Sequence, residues 1–363
     1  MGGGHVMLQR KEWDGDYSEV KQIGRTYSKD GIRWLALSGS GIEFICEADF
    51  VEIVFVSDSS VSEQRGTDNA RFAMYLNENL VFCDTLREEH KSIKIFESAE
   101  KEEIKVRILK ISEAPHSMIG IEKIIIHSDL PPKKTKNLAH KIEFIGDSIT
   151  CGYGVDAENE LVHFTTSTED VTKAYAYLTA KALHSDYSMV SYSGYGIVSG
   201  YTESDKKEPV QTVPKYYQSV ARCFGTYKDL PFMENIPWDF SKYVPELIII
   251  NLGTNDATYC KDRRERHEEY RDEYIKFLKV VREKNKDATI LCTLGLMGAT
   301  LYPMLEEAAA IYKKEAKDDN IVTFRLTEQD KMDGYGADWH PSKVTHQKAA
   351  KQLTEEIRKV MSW

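Results

Sequence analysis

The chain lacks any apolar run of about eighteen residues, so no stretch of it spans a bilayer as a helix. It also lacks a positive excess. Lys and Arg number 48 against 58 Asp and Glu, a formal net charge of -10 with no Lys/Arg stripe, which argues against a protein that neutralises nucleic-acid phosphates. There is no CxxC pair. The six cysteines, Cys46, Cys83, Cys151, Cys223, Cys260 and Cys292, are scattered and several sit in apolar runs, a pattern of buried free thiols rather than of a zinc site or disulfide framework. Free thiols favour the cytoplasm. The opening MGGGHVMLQRKEW has neither an apolar leader core nor a cleavage site, although a leader trimmed from such a start leaves secretion open. Phosphate-loop frames are missing, because the GYG triplets at 152–154 and 194–196 fit neither GxxxxGK[ST] nor GxGxxG. His163, His184, His267 and His346 have no metal-ligand spacing and default to surface or helix roles.

What is present is enough chain, 363 residues, for two domains. From residue 24 to residue 127 the apolar period is near two. Candidate strands lie at 33–37, 41–46, 50–57, 71–76, 80–84, 91–97, 103–111 and 118–127, separated by turn signals such as Ser-Gly-Ser-Gly at 38–41. Short strands at this spacing predict a β-sandwich of jelly-roll type over residues 1–130. A Pro-Pro-Lys-Lys-Thr-Lys-Asn linker follows at 131–137. Over 138–363 nearly continuous apolar runs at 142–145, 186–191, 247–252, 289–294 and 321–325 alternate with amphipathic segments at 174–183, 264–284, 304–317 and 342–360. That alternation predicts a three-layer α/β domain with a mostly parallel sheet covered on both faces.

The stretch IEFIGDSITCGYG, 142–154, carries the first chemical signal. An apolar run breaks at Gly146 and meets Ser148 just beyond the carboxyl end of a strand, where open α/β sheets bind their ligands. Read alone, Asp147 and Ser148 fit a helix cap as well as a nucleophile. Three more strings change the balance: YSGYG at 192–196, NLGTND at 251–256 and DWHPS at 338–342. The first three strings follow apolar runs and so converge on one sheet edge. Together they complete an acyl-transfer set. Ser148 is the nucleophile, His340 the general base, and the N–H groups of Ser148 and Gly194 with the side-chain amide of Asn255 are the oxyanion donors.

These strings, in this order, resemble the SGNH (GDSL-like) hydrolase superfamily, and its signature residues fall on Ser148, Gly194, Asn255 and His340. The SGSGIEF turn, the Pro-containing linker and WDFSKY before NLGTND look like carbohydrate esterase family 2, the acetyl xylan esterases. That resemblance implies a jelly-roll domain beside a flavodoxin-like SGNH hydrolase domain, no metal or other cofactor, and removal of O-acetyl groups from xylan or related plant polysaccharides. The superfamily's triad aspartate stands three residues before the histidine, a position occupied here by Ala337. Asp338 is therefore assigned as the orienting acid, with a backbone carbonyl as the alternative and Asp333 and Asp330 in reserve.

Asp147 is expected to brace its loop, and Asp256 to cap a helix. Aromatic rings stack on sugars, so Trp238, Trp339 and Tyr195 are assigned to the cleft, with Tyr153 and Tyr201 behind them. Core packing competes for each. Two rivals remain open: a lipase or thioesterase of the same superfamily, and a catalytically silent carbohydrate-binding protein. The 20 tyrosines leave room for an aromatic homo-oligomer interface.

Overall fold

A computed structural model describes residues 9–363, so the glycines at the start of the chain lie outside the described residues. The first sheet contains β1 (Arg10–Asp14), β2 (Lys21–Ile23), β3 (Thr26–Lys29), β4 (Ile32–Leu35), β5 (Gly41–Ser57), β6 (Arg71–Leu76), β7 (Asn79–Thr85), β8 (His90–Lys110), β9 (Ile119–His127) and β10 (Lys133–Lys134). Its order is β3-β4-β9-β5-β8-β6-β7, with β1 on β9 and with β2 and β10 on β5. All its pairings are antiparallel.

The sheet curls because its longest strands change partners along their length. One half of β5 pairs with β2 and β10 on the side where the other half pairs with β9, while β8 follows it throughout. The predicted strands 41–46 and 50–57 are one strand of 17 residues, and 91–97 and 103–111 merge into one of 21. The polar breaks at 47–49 and 98–102 read as turns in sequence. In the structure the ladder slips register between Ala48 and Phe50 and between Val51 and Glu52, so the strand bends there instead of ending. Inside the curl, Phe44, Phe55, Phe72, Ile108 and Ile124 pack as a closed core.

The second sheet is parallel, in the order β12-β11-β13-β14-β15, from β11 (His140–Gly146), β12 (Ser185–Ser191), β13 (Leu247–Asn251), β14 (Thr289–Leu296) and β15 (Ile321–Glu328). Helices Arg264–Lys284 and Tyr302–Ala316 cover one face through Tyr274, Leu278 and Leu305. Helices Tyr175–Ala182 and Lys343–Met361 cover the other through Tyr175, Leu353 and Ile357. Burial on both faces is why β13 is apolar up to Asn251 and why β11 is buried from Ile142 to Gly146. The apolar stripe predicted on 264–284 is all core: Tyr270, Tyr274, Phe277, Leu278 and Val281 are buried.

The two sheets do not keep separate cores. Trp34, Leu37, Val56 and Met118 of the first part pack in one cluster with Ile145, Val190 and Ile250 of the second, and Leu109 and Ile111 join Phe144 and Met189 in another. The segment predicted as a linker carries β10, hydrogen-bonded to β5, so the chain leaves the first sheet along its edge and not as a free tether. Arg25 reaches across as well. Its buried guanidinium donates to the carbonyls of Tyr217 and Ser219 and pairs with Glu143 of β11 at 3.4 Å.

A shared core predicts one cooperative unfolding transition for the whole chain in calorimetry. Trp34, 1% exposed with its ring centroid 4.7 Å from that of Tyr227, sits in that core, so Trp34→Ala should lower stability by about 3–5 kcal/mol in denaturant titration while leaving a single transition. Two separated transitions in the wild type would contradict this account.

Candidate active site

Parallel register sets the site. Gly146 of β11 lies level with Ser191 of β12 on one side and with Asn251 of β13 on the other. The loops carrying Ser148, Gly194 and Asn255 therefore leave the sheet side by side. Gly146 has to be glycine, because a Cβ there would come within 2.1 Å of Thr150 Oγ1 as the chain turns into the short helix Ser148–Cys151. Asp147 caps that helix, accepting the N–H of Ile149 at 3.0 Å, as expected of a residue that braces the loop.

His340 meets Ser148 across this edge, with Nε2 2.9 Å from Oγ. Its other nitrogen, Nδ1, faces two backbone carbonyls, those of Ala337 and Asp338, each at 3.2 Å. The orienting carboxylate assigned from sequence is not there. Asp338 turns its side chain away and accepts from the Tyr153 hydroxyl at 2.9 Å, the Phe164 N–H at 3.0 Å and His163 Nδ1 at 3.1 Å. The reason is backbone conformation: Asp338 and Trp339 both lie in the left-handed region, at φ 50° and 65°. That geometry is uncommon for aspartate and costly for tryptophan. The three bonds to the Asp338 carboxylate hold the turn, and the turn aims the carbonyls. Asp338 thus acts through its backbone. The reserves are elsewhere: Asp333 pairs with Lys348, and Asp330 caps a turn at Met332.

His340 is an imidazole with no charged partner. Burial pulls its pKa down to about 4, although the carbonyls of Asp338 and Ala337 oppose the shift. It is neutral at ordinary pH, as a base must be. One face of the ring stacks on Tyr153, centroids 3.9 Å apart, and Tyr153 stacks in turn on Phe164 at 4.1 Å. Sequence reasoning offered Tyr153 to a sugar; the structure gives it to the histidine. Its position in GYG, five residues past Ser148, is a signal that could have found this role. Gly154 ties the two loops together, its carbonyl accepting the Ala337 N–H at 3.0 Å.

Gly194 sits in a turn closed by Tyr195 N–H on the Tyr192 carbonyl, with φ +79°. Among the described residues, neither its N–H nor that of Ser148 is engaged in a hydrogen bond. The side-chain amide of Asn255 donates to the Tyr195 carbonyl at 2.9 Å and, more loosely, to Asp147 Oδ2 at 3.3 Å. Asp256 does not cap its own helix, as had been expected. Its carboxylate accepts the N–H groups of Ile197, Val198 and Ser199 and pins the loop beyond Gly194. Burial nevertheless pushes Asp256 up to about 6 and Asp147 up to about 7.

Two of the three aromatic assignments belong to the core. Trp238 is 7% exposed and packs against the Arg25 guanidinium, 5.3 Å from its ring centroid. Arg25 also pairs with Glu143 at the middle of β11, about 10 Å along the strand from its carboxyl end, so the indole serves this inner contact. Tyr195 is 3% exposed and wedged between Tyr192 and Tyr216; only its backbone serves the site. Trp339 is the exception. It is 54% exposed, next to His340 in sequence, with its ring tilted against Tyr335. Tyr201 is also exposed and donates its N–H to the Gly194 carbonyl. Of the four histidines, His346 is fully buried and accepts the Tyr175 N–H through Nδ1.

Residues 142–353 match the family described as GDSL-like Lipase/Acylhydrolase. The chain belongs to that family. Its solved neighbours include an acetyl xylan esterase (Est2A) from the rumen bacterium Butyrivibrio proteoclasticus, at TM-score 0.86 and 26% identity over 99% of this chain and 100% of the other. Another is a family two carbohydrate esterase from Clostridium thermocellum in complex with cellohexaose, at TM-score 0.80 and 25% identity over 95% and 99%. The chain is also 34% identical over 236 residues to the cellulase/esterase CelE of Acetivibrio thermocellus, a match covering 63% of this chain and 26% of that protein. It thus spans about a quarter of that relative's length.

Two outcomes follow for this GDSL-like hydrolase. With His340 titrating at about 4, kcat/KM for an ester should hold as pH falls through 6.5 and drop only on protonation near pH 4. An acid limb centred near 6.5 would mean that the ring is not desolvated as described. Asp338→Asn should cost less than about tenfold in kcat, far short of the ~10⁴ loss seen where a carboxylate on the histidine is neutralised.

Proposed function

We propose that the chain is a serine esterase that removes O-acetyl groups from xylan or related plant polysaccharides and their oligosaccharides. The observation that carries this reading is the 2.9 Å contact between His340 Nε2 and Ser148 Oγ, with two carbonyls behind Nδ1. Ser148 Oγ attacks the acetyl carbonyl carbon while His340 takes the hydroxyl proton. The new oxyanion is held by the N–H groups of Ser148 and Gly194 and by the Asn255 amide, whose looser bond to Asp147 is the one that turns toward it. Collapse breaks the ester C–O bond, and His340 returns the proton to the departing sugar hydroxyl. Water, deprotonated by His340, then attacks the acetyl-serine; the Ser148 C–O ester bond breaks, His340 returns the proton to Oγ, and acetate leaves. No step calls for a metal or other cofactor.

The sugar rests on Trp339, an exposed ring beside the base whose face suits a pyranose. The polysaccharide substrate is taken from the relatives, acetyl xylan esterase by name in one case and bound to cellohexaose in another. In this reading residues 138–363 are the hydrolase domain. Residues 1–130, whose described part forms most of the curled antiparallel sheet, are a jelly-roll accessory domain joined to it through 131–137.

Acetate release from acetylated xylan, measured beside p-nitrophenyl acetate and octanoate, tests the proposal. Wild type should act on acetylated xylan and on the short ester, and Ser148→Ala should abolish both. Preference for octanoate would move the assignment to a lipid or thioester substrate, and no hydrolysis would leave a carbohydrate-binding protein. Trp339→Ala should raise KM for the polysaccharide while leaving KM for p-nitrophenyl acetate within about twofold, since each stacked ring contributes on the order of 1 kcal/mol.

A further inference from the structure

The Gly194 turn is anchored from outside the hydrolase sheet. Glu113 follows β8 of the curled sheet, is fully buried, and accepts the N–H of Ser193 on Oε2 at 2.7 Å. The other polar groups of Glu113 have neighbours too, the weakest contact being at Oε1. Its own N–H goes to Glu169 Oε2 at 2.7 Å, its carbonyl accepts from the buried Lys110 ammonium at 2.8 Å, and Oε1 faces His116 Nε2 at 3.4 Å. A buried carboxylate costs several kcal/mol unless it is fully paired. An apolar side chain would fill the same space without that cost, so the acceptor at this position calls for a use.

The use is visible in the turn. Tyr195 N–H on the Tyr192 carbonyl makes Ser193 and Gly194 the two central residues, and φ +79° at Gly194 is what a type II turn requires. Types I and II differ by a flip of the peptide joining the central residues, and that peptide carries the Gly194 N–H. Glu113 holds the preceding peptide of the turn, Tyr192–Ser193, through the Ser193 N–H, and so fixes the frame on which the Gly194 peptide is carried. We propose that Glu113 is a positioning residue of the oxyanion hole, by which the curled sheet seats the turn that presents the Gly194 N–H. The proposal rests on the reading of Gly194 as an oxyanion donor. Burial tends to raise the Glu113 pKa, but the hydrogen bond and charge of His116 and the Ser193 N–H hold it below the usual carboxylate range, so the acceptor stays ionised. The same segment supports the base, for the His116 ring lies 5.1 Å from Phe164, which stacks on Tyr153 and through it on His340.

Two conservative variants of the full chain separate position from bulk stability. Glu113→Asp keeps the charge and draws the acceptor back by ~1.5 Å. Its kcat on p-nitrophenyl acetate should fall about 10- to 100-fold with KM within about twofold, a misaimed donor losing part of the 10²–10³ that a deleted one loses. Glu113→Gln keeps a carbonyl oxygen in place for the Ser193 N–H and should recover at least about tenfold over the aspartate variant. Melting temperatures of both are measured alongside. A Glu113→Asp enzyme with kcat within about threefold of wild type overturns the proposal, as does a Glu113→Gln enzyme no better than the aspartate variant. Acetylated xylan is assayed in parallel. A wild type active on p-nitrophenyl acetate but not on the polysaccharide overturns the substrate reading, while the ratios among the Glu113 variants still decide the role of Glu113.

Discussion

Three strand ends at one height are the constraint on which the site depends. Because β11, β12 and β13 pair in parallel register, Gly146, Ser191 and Asn251 stop level with one another, and the polar residues after them have nowhere to go but a common edge. Parallel pairing demands apolar residues on both faces, which is supplied by four helices and, at the flank, by the curled sheet. His340 arrives last, on a turn between β15 and the final helix, and is held against the edge by Gly154, Tyr153 and the Ser148 hydroxyl.

Buried carboxylates stitch these loops together, and their fates differ for a physical reason. Asp147 and Asp256 accept hydrogen bonds mainly from neutral N–H groups and lie near each other's charge, so desolvation wins and their proton affinities rise. Glu113 has the His116 imidazole and the Ser193 N–H for partners, and desolvation loses. Glu169, pressed against Glu113 in the same cluster, takes up the difference and is pushed well above the ordinary range by burial and by its neighbour's charge.

Much of the site could be read from the chain because its donors sit where apolar runs end, and an apolar run's end is visible in sequence. Other features were not visible. The breaks at 47–49 and 98–102 have turn-like composition but bend strands that β8 and β5 keep paired to one another. Trp238 flanks a motif and was read into the cleft, yet its partner is Arg25, more than two hundred residues away in the chain and on the other sheet. The direction of the Asp338 carboxylate depends on two left-handed dihedrals that no residue type in DWHPS announces. Glu113 is an unremarkable acid in SEAPHS until the fold lays it beneath Ser193.

The group that steadies His340 is main chain, and main chain is common to every residue type. A carboxylate in that position can be deleted by one base change; the carbonyls of Ala337 and Asp338 cannot be deleted by any substitution, only moved. The vulnerable property is therefore the path of the chain from Gly336 to Pro341. Insertions, deletions or a proline there are the lesions that would displace the ring, and a side chain such as that of Asp338 counts through the turn it holds and not through a contact with the histidine.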